Sequence, residues 1–223
     1  MAMASNRDLV AGVVLVAAAC VVASGVVVSG SAQADGNARG EDLYRLCAAC
    51  HGVDAAGNEA VGAPAIAALP QWYVGAQLKQ FRDGIRGTHF DDIMGMRMRP
   101  MSLTLRSDAD VEAVAAFVAG MPVVHPPPSL TGGDAAKGKE TYVATCVACH
   151  GADGVGNQAM MGAAPLVHAS DWYLLRQVEN FRAGIRGARP GDQGGALMRP
   201  MVLRLADEQA IKDVVAYIMT LAN

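Results

Sequence analysis

The 223-residue chain has few aromatic side chains, 5% of its residues, and little net charge, −3 at pH 7. Its 18 Lys and Arg against 21 Asp and Glu exclude a nucleic-acid binder, which needs a strongly basic face. Hydrophobic residues reach 52%, but Ala, Val, Leu and Met supply most of them. Because large rings usually dominate a core, this composition indicates a thin core that a large, flat, non-protein group completes.

An apolar run without charged residues covers residues 9–28, behind Arg7. Small residues follow it and end in Ala32-x-Ala34, the pattern of a signal-peptidase site. The pattern predicts cleavage after Ala34, whereas the length of the run is also sufficient for an uncleaved membrane anchor. Residues 1–34 are therefore expected to be a signal peptide or an N-terminal membrane anchor, and both alternatives place the remaining chain in the periplasm.

The remainder of the chain is a tandem repeat. A Trp-Tyr pair at residues 72–73 recurs at 172–173, and a Phe-Arg-x-Gly-Ile-Arg-Gly stretch at 81–87 recurs at 181–187. Between the copies, three successive prolines favour an extended, semi-rigid spacer. The chain is therefore expected to comprise a first domain over 35–121, a Pro-rich linker over 122–129 and a second domain over 130–223.

The sequence predicts an all-α fold, because no segment shows the polar and apolar alternation typical of strands. Apolar residues from Val111 to Val118 recur at steps of three and four, as a helix with one buried face requires. Asp134 is expected to cap a helix in the second half. The predicted helices cover residues 37–50, 71–82, 108–119, 134–149, 171–182 and 207–221.

Four of the five cysteines belong to two C-x-x-C-H motifs, Cys47 to His51 and Cys146 to His150. On a helical turn, two thiols at this spacing reach the two vinyl groups of one porphyrin, and the adjacent His points its ring at the iron. A zinc site would require both Cys pairs to converge, and a redox dithiol would require a βαβ context. The motifs therefore predict two covalently attached haem c groups, one on Cys47 and Cys50 and one on Cys146 and Cys149.

The chain after residue 34 resembles the cytochrome c4 group of diheme cytochromes, within the class I cytochrome c family. The resemblance rests on the two Cys-x-Ala-Cys-His-Gly motifs, the Gly-Asn pairs at 57–58 and 156–157, the Phe-Arg-x-Gly stretches and the Met-containing loops toward the end of each half. It implies two tandem class I cytochrome c domains, each with a few helices around one covalent haem, and His51 and His150 as iron ligands.

The resemblance also implies a Met sulfur opposite each His. The repeat alone leaves two candidates in each half, Met98 or Met101 and Met198 or Met201. In this family the ligand precedes the start of the last helix by a similar interval, which favours Met98 and Met198. The unpaired histidines His89, His125 and His168 have no counterpart in the other half, so a symmetrical bis-His scheme does not fit.

In the class I family a proline carbonyl accepts the ring N–H of the haem-binding His, a role that the resemblance implies for Pro64 and Pro165. Other duplicated residues are candidates for holding haem propionates, although an exposed helix face or core packing explains them as well. These candidates are Trp72, Tyr73, Arg82, Arg86, Trp172, Tyr173, Arg182 and Arg186.

The resemblance implies a periplasmic carrier of single electrons between respiratory complexes. The expected partners are a membrane quinol-oxidising complex as donor and a terminal oxidase or another reductase as acceptor. A haem enzyme, such as a diheme peroxidase or a thiosulfate dehydrogenase-like cytochrome, is the alternative, but it needs an open coordination position at the iron. An uncleaved N-terminal anchor would instead make the chain a haem-bearing subunit of a membrane complex.

Overall fold

A computed structural model describes residues 29–221, with side chains from residue 37 onward. The apolar segment over 9–28, and with it the choice between signal peptide and anchor, lies outside the described residues. Within the described part, no helix is both long and apolar enough to cross a membrane. The helices in chain order are α1 Ser29–His51, α2 Gln71–Arg82, α3 Ile93–Ser102, α4 Asp108–Ala119, α5 Ala135–Thr145, α6 Val147–His150, α7 Asp171–Arg182, α8 Gln193–Val202 and α9 Glu208–Leu221.

The helical prediction is confirmed for most of the chain. Helices α2, α4 and α7 have the predicted bounds, and between residues 29 and 221 no strand forms beyond two isolated bridges, Asn58–Ala63 and Asn157–Ala163. Asp134 caps α5 as predicted, because its carboxylate accepts the backbone N–H groups of the next turn.

The Met-containing segments are helices, so their prediction as loops was wrong. Asp92 and Asp192 cap α3 and α8, where each carboxylate accepts a backbone N–H three residues later. A proline inside each helix, Pro100 and Pro200, masks the helical pattern in the sequence. In addition, α1 begins at Ser29, and Cys146 separates α5 from α6 where one continuous helix was expected.

Each half of the chain has its own hydrophobic core. The first core lies between α1, α2 and α4, and it buries the apolar face of α4 from Val111 to Val118 as predicted. The second core lies between α5, α7 and α9, with Tyr142 and Ile211 each 1% exposed. Two separate cores agree with a tandem repeat of two domains, since each repeat buries its own apolar faces.

The two domains contact one another around the loop that precedes α7. The backbone N–H of Ala65 in the first domain donates to Ser170 Oγ at 3.1 Å. On the other side of this loop, the backbone N–H groups of Ser129, at the end of the predicted linker, and of Leu130 donate to Asp171 of the second domain. The predicted boundaries of the linker fall within the helix-free stretch between α4 and α5, and they stay predictions.

Candidate functional site

The first C-x-x-C-H motif occupies the last two turns of α1. His51 is 7% exposed, and its Nδ1 lies 2.8 Å from the carbonyl oxygen of Pro64. Because a carbonyl only accepts, Nδ1 carries the proton and Nε2 is free to bind a metal. Burial lowers the pKa of His51, although the bond to Pro64 opposes the shift. The ring is therefore held neutral and oriented, which is the state in which an imidazole binds iron.

The second motif repeats this geometry with a different carbonyl. His150 is 8% exposed, and its Nδ1 lies 2.8 Å from the carbonyl oxygen of Ala164. The prediction that Pro165 supplies the carbonyl for His150 was therefore wrong. The extra residue of the second half lies between Asn157 and Ala163, so that Ala164 occupies the place of Pro64. The bond uses a backbone oxygen, which any residue can supply at that position.

A tyrosine fixes the turn after each motif. The hydroxyl of Tyr44 donates to the carbonyl of Gly52, and the hydroxyl of Tyr142 donates to the carbonyl of Gly151, both at 2.7 Å. Both glycines adopt left-handed backbone angles, φ 84° and φ 83°, that the turn requires. Each tyrosine thus ties the residue that follows His51 or His150 to the core of its domain.

None of the four cysteines of the two motifs forms a disulfide bond. Burial raises the pKa of Cys47 and of Cys146 to about 11, which disfavours the thiolate form that a zinc site requires. Among residues 29–221, no group of three or more His, Cys, Asp or Glu side chains could hold a metal ion. The two Cys pairs therefore do not converge, and the donor set fits thioether attachment of a porphyrin rather than zinc.

The candidate Met ligands lie on α3 and α8. Met98 and Met101 are three residues apart on one helix, which places both on the same side. Met98 packs against the first core together with Cys47, whereas Met198 is not among the described side chains that pack against the second core. The close approach of Gly87 to the carbonyl of Gly95 positions α3, and Gly187 and Gly195 do the same for α8.

Of the four candidate arginines, two lie at the domain interface. Arg86 and Arg186 are buried, and the Nε atom of each lacks a hydrogen-bond partner among the described residues. Arg82 instead forms an ion pair with Asp108 at the start of α4. Buried guanidinium groups that each keep an unpaired Nε–H fit the carboxylates of a haem, the only anionic groups that a haem c presents.

The aromatic candidates Tyr73 and Tyr173 lie beside these arginines, and Tyr73 also packs against the core of the first domain. Burial opposes ionisation of Tyr173, yet the neighbouring guanidinium groups of Arg86 and Arg186 outweigh it and lower the pKa. Burial raises the pKa of Tyr73. The two hydroxyls therefore belong to the same polar interface as the arginines.

Two of the unpaired histidines meet, which the sequence did not predict. The ring of His125, in the linker, packs edge to face on the ring of His168 with centroids 5.0 Å apart. The third, His89, stacks on Phe90. No signal in the sequence pairs His125 with His168, because neither has a counterpart in the other half.

Two C-x-x-C-H motifs, each ending in a buried imidazole on a carbonyl, define a c-type cytochrome with one haem in each all-α domain. The sequence model of the cytochrome c family matches residues 37–122 and 135–222, and the chain belongs to this family. The prediction of two covalent haem c groups in tandem domains is confirmed. When bound, each haem supplies one-electron exchange at its iron.

Several relatives are named as electron-transfer proteins. The chain is 34% identical over 172 residues to the thiosulfate dehydrogenase electron acceptor of Thiomonas intermedia, covering 73% of both chains. It is 36% identical over 168 residues to the protein of the same name from Stutzerimonas stutzeri, covering 70% and 71%. It is 30% identical to the cbb3-type cytochrome c oxidase subunit FixP of Bradyrhizobium diazoefficiens, covering 70% of this chain and 55% of that one.

Solved structures agree with this assignment. Thiosulfate dehydrogenase (TsdBA) from Marichromatium purpuratum has a TM-score of 0.66 at 30% identity; the match covers 82% of this chain and 40% of that one. Cytochrome c4 from Pseudomonas stutzeri has a TM-score of 0.63 at 26% identity, with 82% and 97% covered. The chain is accordingly a diheme cytochrome c and an electron carrier.

Proposed function

We propose that the chain accepts electrons from a periplasmic thiosulfate dehydrogenase and passes them to a terminal oxidase. The observation that carries an electron-relay role is the equivalence of the two haem sites. In both halves a buried His is held by a carbonyl at 2.8 Å, and a Met-bearing helix is capped by a buried Asp. Two equivalent six-coordinate irons would exchange electrons and leave no iron position for a substrate.

We assign His51 and Met98 to the first iron and His150 and Met198 to the second. The contact of Met98 with the core that also contacts Cys47 supports the first assignment. We assign Met198 to the second iron because it occupies the position in the second half that Met98 occupies in the first. Met101 and Met201, three residues further along the same helices, are the competing ligands. If they do not bind iron, we expect their side chains to pack at the haem edge.

Replacement of each Met by Leu distinguishes the ligands from their neighbours. The Met98→Leu and Met198→Leu proteins are expected to lose the sulfur-to-iron charge-transfer band of one haem each, with a fall in that haem's reduction potential. The matched Met101→Leu and Met201→Leu proteins are expected to keep both bands. The opposite pattern would reverse the assignment, and loss of one haem per chain would count against the site as a whole.

The names of the relatives support the choice of donor. Two relatives that share about three quarters of their length with this chain are named thiosulfate dehydrogenase electron acceptors, and a further match is to the TsdBA protein. The match to FixP, which spans about half of that subunit, supports an oxidase as the acceptor. We place the chain in the periplasm, where a c-type cytochrome with an export signal would act.

Reduction kinetics of the purified ferric diheme protein test the donor. We expect rapid reduction of both haems by a thiosulfate dehydrogenase with thiosulfate, and slow reduction by a quinol-oxidising complex with quinol. The reverse preference would make the quinol-oxidising complex the donor. Steady oxidation of thiosulfate by the chain alone, with ferricyanide as acceptor, would instead identify a haem enzyme.

A further inference from the structure

Two histidines outside the C-x-x-C-H motifs meet where the linker passes the loop before α7. His125 lies in the predicted linker and is exposed, whereas His168 lies in the loop and is partly buried. The two rings are in contact, with centroids 5.0 Å apart and planes at 73° to one another. Because the two residues are distant in the sequence, the contact is a product of the tertiary structure.

The ring of His168 has a nitrogen without a partner. Its Nδ1 atom is buried and makes no hydrogen bond to any described residue. Burial lowers the pKa of His168, and the positive charge of a protonated His125 lowers it further, so the His168 ring is neutral at pH 7. A neutral imidazole nitrogen is the form that binds a metal ion. Since a buried polar atom without a partner is costly, this nitrogen favours a ligand.

The first domain has the same turn without an imidazole. Ala68 occupies the position of His168 in the repeat, and both residues adopt left-handed backbone angles, φ 57° and φ 65°. The turn itself therefore does not require a histidine. A side chain larger than that of glycine is uncommon in this conformation, so the imidazole of the second domain calls for a role of its own.

The spacing of the two rings fits coordination of one ion. With metal–nitrogen bonds of about 2.0–2.1 Å and an angle of about 90–110° at the ion, two ligating imidazoles have ring centroids about 4.5–5.2 Å apart. The separation of 5.0 Å between His125 and His168 lies within this range. Rotation about χ2 turns the nitrogens of an imidazole but leaves its centroid nearly in place, and this torsion is broad. Ring rotation therefore brings one nitrogen of each histidine to a common point.

We propose that His125 and His168 bind one divalent transition-metal ion, such as Zn²⁺, Cu²⁺ or Ni²⁺, which clips the linker to the second domain. Imidazole nitrogens suit these ions, whereas Ca²⁺ and Mg²⁺ take oxygen ligands. Within residues 29–221, no group of three or more His, Cys, Asp or Glu side chains could hold a metal ion, so water would complete the coordination of an ion held by two imidazoles. The proposal requires no particular redox partner.

The ion would fasten the linker beside a contact between the two domains. Ser170, two residues after His168, accepts the backbone N–H of Ala65 in the first domain. The next residue, Asp171, accepts the backbone N–H of Leu130 just after the linker. A metal bridge adds a further attachment of the linker to this same loop, and closing a loop restricts the conformations of the chain within it.

Calorimetric titration of Zn²⁺ into the untagged, fully oxidised diheme holoprotein tests the site. Zn²⁺ does not exchange electrons with the haems, and the haems occupy the cysteines and histidines of the two motifs. We expect one ion per chain, and binding at least about tenfold weaker in His125→Ala and in His168→Ala, because each loses one of two linked donors. Absence of binding, or binding that neither substitution weakens, would overturn the proposal.

The third unpaired histidine supplies the matched control. His89 has no histidine beside it, and its Nδ1 already accepts the backbone N–H of Asp91 at 3.2 Å. His89→Ala should therefore bind Zn²⁺ as the unsubstituted protein does, and weakening equal to that of the His125 and His168 variants would refute a specific site. Both of those variants should fold, since His125 is exposed and alanine is the residue of the first-domain turn.

Electron paramagnetic resonance of Cu²⁺ added to the oxidised, unsubstituted protein decides the ligands without any variant. We expect coupling of the copper to nitrogens of two imidazoles, and coupling to one or to none would overturn a two-histidine site. Limited proteolysis with a metal-independent protease tests the clip. Zn²⁺ should slow cleavage of the linker at least about twofold in the unsubstituted protein but not in His125→Ala, since cleavage follows the population of the open linker. Equal rates with and without Zn²⁺ would refute the clip.

Discussion

Asp171 ties the linker to the second domain, and its replacement by Asn should detach that linker. The buried carboxylate, 2% exposed, accepts the backbone N–H groups of Ser129, Leu130 and Trp172, each at 2.7 Å, and the Ser129 hydroxyl at 3.2 Å. An asparagine of the same shape turns an NH₂ group toward some of these donors. At least one buried N–H therefore loses its acceptor.

The expected cost follows from the number and kind of these bonds. A hydrogen bond to a charged acceptor contributes about 1.5–3 kcal/mol, and an unpaired buried donor costs about 1–3 kcal/mol. Because Asn retains part of the set, we expect Asp171→Asn to lower the free energy of unfolding by about 2–4 kcal/mol. In a domain of this size, each kcal/mol corresponds to about 4–8 °C in Tm.

Thermal unfolding of the holoprotein, followed by circular dichroism, measures this change. The repeat contains a matched control, since the equivalent residue of the first domain is Gln71, which is exposed and whose side-chain amide donates to Glu112 at 3.4 Å. Gln71→Ala should change stability by less than about 0.5 kcal/mol. Limited proteolysis should cut the linker faster in Asp171→Asn than in the unsubstituted protein. An unchanged Tm together with an unchanged cleavage rate would refute the role of Asp171.

Three further substitutions test packing and hydrogen bonding within the two domains. Gly138→Ala should destabilise the second domain by about 1–3 kcal/mol or more, because the new Cβ overlaps the Asp213 carbonyl on α9. Gly75→Ala should stabilise the first domain by about 0.5–1 kcal/mol, because its Cβ meets only ordinary contacts within a helix. Tyr142→Phe should cost about 1–3 kcal/mol, because the Gly151 carbonyl loses its donor. Denaturant unfolding of the holoprotein measures all three.

Each of these predictions can fail in a specific way. A Gly138→Ala protein of normal stability would mean that α5 and α9 are not in close contact. A destabilised Gly75→Ala protein would mean that α2 and α4 leave no room for a methyl group. A Tyr142→Phe protein of normal stability would mean that another donor, such as water, satisfies Gly151.

The sequence anticipated the parts of the site that depend on neighbouring residues. The C-x-x-C-H motifs place the thiols and the imidazole within five consecutive positions, and the bounds of α2, α4 and α7 follow from local helical periodicity. It missed α3 and α8, because Pro100 and Pro200 are usually signs of a helix end. It also named Pro165 where Ala164 supplies the carbonyl, because residue type carries no information about a backbone oxygen.

The sequence by itself determined that this protein carries two haems, because thioether attachment depends on a spacing that can be read along the chain. Only the tertiary structure distinguished Arg86 and Arg186 from Arg82 and its repeat partner, since all four occupy equally duplicated positions. Arg86 contacts Gln177 across a separation of 91 residues, and Ala65 contacts Ser170 across 105. Such contacts depend on how the two domains pack, which no local pattern encodes.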